Sequence, residues 1–112
     1  MIKPIIMLNT NVLDLPKLGY NIAFTLGCEY FNSLNIGDFF YLGNNKLQQI
    51  GDIQQVKTLV TIPFWKVRET EVAANCLNLA RDELESYLRN SSPKVNTYNQ
   101  VIITMIGFYY NR

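Results

Sequence analysis

The sequence predicts an α+β fold: a small, mostly antiparallel β-barrel with two helices inserted before its last strand. Three features predict it. Runs of Ile, Val, Phe and Tyr alternate with Gly and Asn turns between Thr25 and Val60. A stretch from Thr70 to Arg89 carries helical spacing with capping residues at its starts. The closing run, Tyr98 to Tyr110, is apolar on both alternating faces, which suits a strand covered on both sides. At 112 residues the chain fits one domain, 1–112, with a single core.

The elements follow in order. Ile2 to Leu8 reads as a first strand closed by a polar turn at Asn9-Thr10-Asn11. Between Val12 and Gly19, Asp14 can cap one helical turn, but Pro16 and Gly19 limit it, so a loop is the competing assignment. Asn21 to Leu26 is a short strand ending at Gly27. Gly37-Asp38 delivers the chain into a strand over Phe39-Phe40-Tyr41-Leu42, and Gly43-Asn44-Asn45 reverses it. A long strand from Gln48 to Val60 is expected, with a bulge or close backbone approach at Gly51. Pro63 cannot donate to a ladder, so Ile62 to Arg68 belongs at a strand edge or start.

Thr70 is the expected N-cap of a helix over Glu71 to Cys76, and Asn78 that of a longer helix from Leu79 to Arg89. On the second helix Ala80, Leu84, Tyr87 and Leu88 share a face, while Arg81, Glu85 and Arg89 make a solvated one. Asn90-Ser91-Ser92-Pro93 stops it. Asp38 and Asp52, each beside a glycine, read as turn-stabilising acceptors.

Composition excludes several function classes. Ten Lys/Arg against nine Asp/Glu give no broad electrostatic grip on nucleic acid, so any phosphate contact must be local. No stretch reaches the roughly 20 apolar residues of a membrane span, and the start lacks a secretion signal, so a cytoplasmic protein without membrane partners is expected. Histidine is absent, which removes the usual general base and the commonest zinc ligand. No metal constellation and no cofactor motif is present, and Cys28 and Cys76 read as reduced, buried packing residues.

Several pieces together resemble the ASCH family (activating signal cointegrator homology), a branch of the PUA-like barrels. They are Phe24-Thr25-Leu26, Leu34-Asn35-Ile36-Gly37-Asp38 leading into Phe39 to Leu42, Ile50-Gly51-Asp52-Ile53, and Ala73-Ala74 before Arg81-Asp82-Glu83-Leu84. Val101 to Phe108 is similar to the family's terminal strand. The resemblance implies a curved barrel with helices beside an open cleft, in which members bind RNA or nucleosides and some small ones remove an acetyl group from N-acetylated cytidine.

The family signature has a glycine, a lysine, a threonine three residues after that lysine and an arginine two further on. Thr25 matches the threonine and Gly19 the glycine, but the lysine position is Ile22 and the arginine position Gly27. The catalytic glutamate, measured back from Glu83-Leu84, falls near Leu77, and a one-residue shift that brings Asn21 to the lysine position restores no charge. Acid/base chemistry needs groups that change protonation, so no catalytic residue is assigned and the resemblance favours a binding module over a hydrolase.

Six residues are candidates for contacting a ligand. Tyr20, Asn21 and Thr25 lie on the family's cleft-forming segment and offer hydrogen bonding and stacking. Lys66 and Arg68, with Phe64 on one face of an alternating strand, offer phosphate contacts, and Trp65 offers a stacking surface or, as aromatics in β-proteins more often do, core packing. RNA or a nucleotide is the partner these residues imply. The alternative is a protein-interaction or regulatory factor, with Tyr30-Phe31 and Phe39-Phe40-Tyr41 as barrel interior or, where exposed, as interface anchors. A divergent amidohydrolase acting on N-acetylated cytidine is the third reading.

Overall fold

A computed structural model describes residues 5–9, 17–43, 48–90 and 101–110. Its strands form two sheets. Sheet A holds β1 (Ile6–Asn9), β3 (Phe39–Gly43) and β4 (Gln54–Gln55) in the order β1-β3-β4, with β1 parallel to β3 and β4 antiparallel to it. Sheet B is antiparallel, with β6 (Ile102–Tyr110) between β2 (Gly19–Leu26) and β5 (Thr58–Pro63). The helices are α1 (Glu29–Ser33), α2 (Glu69–Ala73) and α3 (Arg81–Asn90), and Phe64–Lys66 is a 3-10 turn.

Neither sheet closes on itself, so the expected PUA-like barrel is corrected to two open three-stranded sheets. The reason lies in the stretch expected to be one long strand from Gln48 to Val60. Gln54–Gln55 pairs with β3 in sheet A, whereas Thr58–Pro63 pairs with β6 in sheet B. Between them the buried Val56 is tied to the Gly37 turn: its N–H donates to the Asp38 carbonyl at 2.8 Å and its carbonyl accepts from Gly37 N–H at 2.8 Å. The chain thus changes sheet, and no ladder continues from one sheet into the other. Gly51 is a left-handed bend before β4, not a bulge within a strand.

Alternation along β6 sorts the core into two clusters. Ile103 and Met105 face one way with Ile22 and Phe24 of β2, and on that side Val72 of α2 and Leu84 and Leu88 of α3 cover them. Ile106, Phe108 and Tyr110 face the other way with Ala23, against Phe40 and Leu42 of sheet A. Phe40 and Phe108 meet edge to face, with centroids 5.4 Å apart and planes at 85°, and so lock sheet A onto sheet B. The order is sheet A, sheet B, helices, and β6 takes the doubly covered central position its sequence predicts.

Local signals account for most boundaries. Gly37 takes a φ of +96°, which its sequence neighbours could adopt only with strain, and Asp38 Oδ2 accepts the Asn35 N–H at 2.9 Å to close the turn before β3. α2 starts at Glu69, so Thr70 is not its cap. Instead Glu71 Oε1 accepts the Arg68 N–H at 2.9 Å. α3 starts at Arg81, and Asn78, the expected cap, sits in the left-handed region at φ 58°. Leu84 and Leu88 are buried as expected, Tyr87 is half-buried and Ala80 is exposed. α1 was not anticipated. The turns expected at Asn9-Thr10-Asn11 and Asn44-Asn45, the Asp14 segment and the Ser91-Ser92-Pro93 stop fall wholly or mostly outside the described residues.

Candidate interaction edge

Strand alternation separates residues that the sequence reading grouped into one pocket wall. Tyr20 lies on the helix-facing side of β2, whereas Asn21 and Thr25 lie on the side that faces sheet A. Tyr20 reaches across β6: its hydroxyl and the Thr58 hydroxyl are 2.7 Å apart, with its ring over Gly107 and tilted 55° to Tyr109 at 5.3 Å. Asn21 is fully buried. Its amide nitrogen donates to the Lys17 carbonyl at 2.8 Å and the Gly19 carbonyl at 3.1 Å, while Oδ1 has no partner among the described residues. Thr25 Oγ1 donates to the Thr104 carbonyl at 3.4 Å.

Trp65, Lys66 and Arg68 sit at the other end of sheet B from Tyr20, after the last residue of β5. They are not on a strand. Pro63 ends the ladder and the chain turns as a 3-10 helix, so Phe64 is buried in the helix-side core and Trp65 points outward, 64% exposed. Its expected core packing is therefore corrected. Lys66 Nζ lies 5.2 Å from the centre of the Trp65 ring. Arg68 Nε donates to Glu71 Oε1 at 3.2 Å. Arg81, read as part of a solvated face, is half-buried and fastens this turn: Nε meets Glu69 Oε1 at 2.5 Å, Nη2 donates to the Val67 carbonyl, and the guanidinium lies 5.6 Å from the Phe64 ring centre.

The sheet edges hold what the sequence reading missed. Four strands are outermost: β1 and β4 in sheet A, β2 and β5 in sheet B. The outer edge of β2 is covered, since Ile22 N–H donates to the Ala74 carbonyl at 2.7 Å and its carbonyl accepts from Cys76 N–H at 3.0 Å. β4 has two residues and β1 four. β5 has six, and among the described residues nothing pairs with its outer edge.

Its direction is fixed by the bond from Phe64 N–H to the Val101 carbonyl, 2.7 Å, which continues the β5–β6 register. Alternation then turns the backbone groups of Thr58, Val60 and Ile62 toward β6 and those of Leu59 and Thr61 away from it. No described residue takes the outward N–H and C=O groups of Leu59 and Thr61. Pro63 is in the outward phase too, so its missing N–H costs the ladder nothing. Beside this edge, on the helix-facing side of the sheet, Val60 is 41% exposed.

The edge carries no charge of its own. Residues 58–65 (TLVTIPFW) are uncharged, and lysines bracket them. At one end Lys57 Nζ donates to Gln55 Oε1 at 2.8 Å, and at the other stands Lys66. Neither lysine is ion-paired to a carboxylate among the described residues.

Among the described residues no group of three or more His, Cys, Asp or Glu side chains could hold a metal ion. Burial pushes the Cys76 thiol up to about 12, against the weaker opposing effects of a backbone hydrogen bond and Lys17, so it is no nucleophile near neutral pH. Cys28, expected to be buried, is exposed. No described helix is long and apolar enough to cross a membrane.

Comparison with protein-family models, curated proteins and solved structures finds no match to this chain. With no barrel there is no barrel cleft, so the expected ASCH-type barrel and recognition of RNA or a nucleotide in its cleft are corrected.

Proposed function

We propose that this protein is a protein-interaction module that accepts an extended segment along β5. One observation carries the reading: a six-residue, uncharged edge strand leaves the N–H and C=O groups of Leu59 and Thr61 without partners among the described residues. Edge strands of soluble proteins are normally blunted by charges, bulges or a covering element, because an open one is a template for another chain. β2 has such a cover, whereas α1 packs near β5 without any described backbone group bonding the outward groups of Leu59 and Thr61.

An antiparallel strand laid on β5 completes four hydrogen bonds, two at Leu59 and two at Thr61. At about 0.5–1.5 kcal/mol each these support weak binding after the ordering cost of association is subtracted. Selectivity falls to the flanking side chains, among which Val60 and Trp65 offer apolar area. The edge is tested with two substitutions that leave the β6 ladder intact. Val60→Lys puts a charge beside it, and Thr61→Pro removes an outward donor. Cross-linking followed by mass spectrometry on the expressing cells should recover a protein joined near β5 in the wild type and lose it in both variants. Retention of the same cross-link in both folded variants excludes the edge.

A further inference from the structure

We infer that the segment received by β5 is an extended stretch of a partner protein with a neutral centre and carboxylates at both ends. This rests on the open-edge reading and adds the chemistry of the occupant.

Charge complementarity carries it. Positions 58–65 contribute no charge, so a charged group in the middle of the incoming strand would meet Val60, Leu59 and Thr61 with nothing to balance it. At the ends the situation reverses. Lys57 and Lys66 are exposed cations without carboxylate partners among the described residues, one just before β5 and one just after it. An incoming strand as long as β5 ends beside both. At about 3.3 Å per residue, its carboxylates belong roughly six to eight residues apart.

Trp65 strengthens the far end. Its ring is exposed beside the Lys66 ammonium, so a side chain that neutralises Lys66 is held against an apolar plate. A second copy of this chain fits less well. Antiparallel pairing of β5 with its own copy, centred on Val60, sets Lys57 opposite Pro63 of the other copy and leads it toward that copy's Lys66, so like charges approach at both ends.

The test uses the full chain, uniformly ¹⁵N-labelled, titrated with two synthetic peptides that share a Thr-Val-Thr-Val-Thr-Val centre and differ in having two Glu or two Lys at each end. The expected result is saturable shifts of the Leu59 and Thr61 amides with the Glu-ended peptide, binding at least tenfold weaker with the Lys-ended one, and a reversed preference in the Lys57→Glu, Lys66→Glu double variant. Both side chains are exposed, so that variant should fold, and its amide spectrum checks it. Equal binding of the two peptides at β5 overturns the charge rule and leaves the open edge standing. Binding of neither, with a concentration-dependent dimer that Val60→Lys dissolves, assigns the edge to a second copy and overturns the inference. Binding of neither by a monomer overturns the inference and the open-edge reading together. Short single-stranded RNA shifting the same amides in place of the peptides also overturns it.

Discussion

Tyr20 stands over Gly107: a Cβ built on the glycine would lie 2.2 Å from the tyrosine hydroxyl and 2.8 Å from its Cζ. The hydroxyl meets that of Thr58 at 2.7 Å, so one side chain from β2 crosses the central strand and grips β5. A glycine in a central strand weakens it by leaving nothing to pack, and a neighbouring aromatic ring laid over it restores the lost cover. Tyr20 thus supports the edge strand.

Gly107→Ala should accordingly destabilise the fold by about 1–3 kcal/mol, the usual range for forced overpacking, because the new methyl also falls 2.0 Å from Thr58 Oγ1. Tyr20→Phe removes only the hydroxyl bond and should cost about 0.5–1.5 kcal/mol or less, since that bond is exposed. Urea unfolding of both variants checks the ranking. A cost for Gly107→Ala no larger than that for Tyr20→Phe contradicts the geometry.

Arg81 gives a second prediction. Its guanidinium serves Glu69, the Val67 carbonyl and the Phe64 ring at once, a planar arrangement that a lysine ammonium cannot reproduce. Arg81→Lys should lower stability by about 1–2 kcal/mol, within the range for charge-assisted hydrogen bonds. It should also shift the Trp65 fluorescence, because the turn carrying Trp65 is anchored through Phe64 and Val67. Glu69→Gln, which touches only the exposed end of the arrangement, should cost less than half as much.

The two cysteines should separate cleanly. Native protein at pH 8 should lose one thiol quickly to an alkylating reagent, at Cys28, and the second only on the timescale of unfolding, at Cys76. The pH dependence has a definite sign. Folded Cys76 keeps its proton up to about 12, while the unfolded chain releases it in the ordinary range near 8.5. The folded state therefore binds more protons in that interval, and the stability this contributes is complete below it and falls as pH rises through it. Unfolding midpoints between pH 9 and 10.5 should drop more steeply for the wild type than for Cys76→Ala. Parallel slopes contradict the burial of the thiol.

Much of the local structure was legible because its signals are short-range. Gly37-Asp38 names a turn, Phe39 to Leu42 a strand, and the doubly apolar Val101 to Phe108 a central strand, each from a few adjacent residues. The sheet change at Val56 was not legible, because it depends on bonds to the Gly37 turn nearly twenty positions away. An alternating pattern also cannot say which sheet a strand joins, and the barrel expectation failed at that point.

The candidate site was legible only in part for the same reason. Lys66 and Trp65 flank the edge, as their exposure permits, but Tyr20 and Asn21 are adjacent in sequence and so must face opposite ways on a strand. Phe64 belongs to the core because Pro63 ends the ladder, which breaks the alternation that placed it with Lys66 and Arg68. The open edge itself leaves no trace in composition. Among the described residues it is a property of what fails to pair with β5, visible only once strand neighbours are placed.

Amide hydrogen exchange along β5, on dilute protein without ligand, tests the central claim most directly. The account predicts alternation: Leu59 and Thr61, whose N–H groups face outward, exchange rapidly, while Val60 and Ile62, bonded to β6, exchange only through opening of the sheet. Uniform slow exchange across all four amides in the monomer would mean that something within the chain already covers the edge, and would contradict the account.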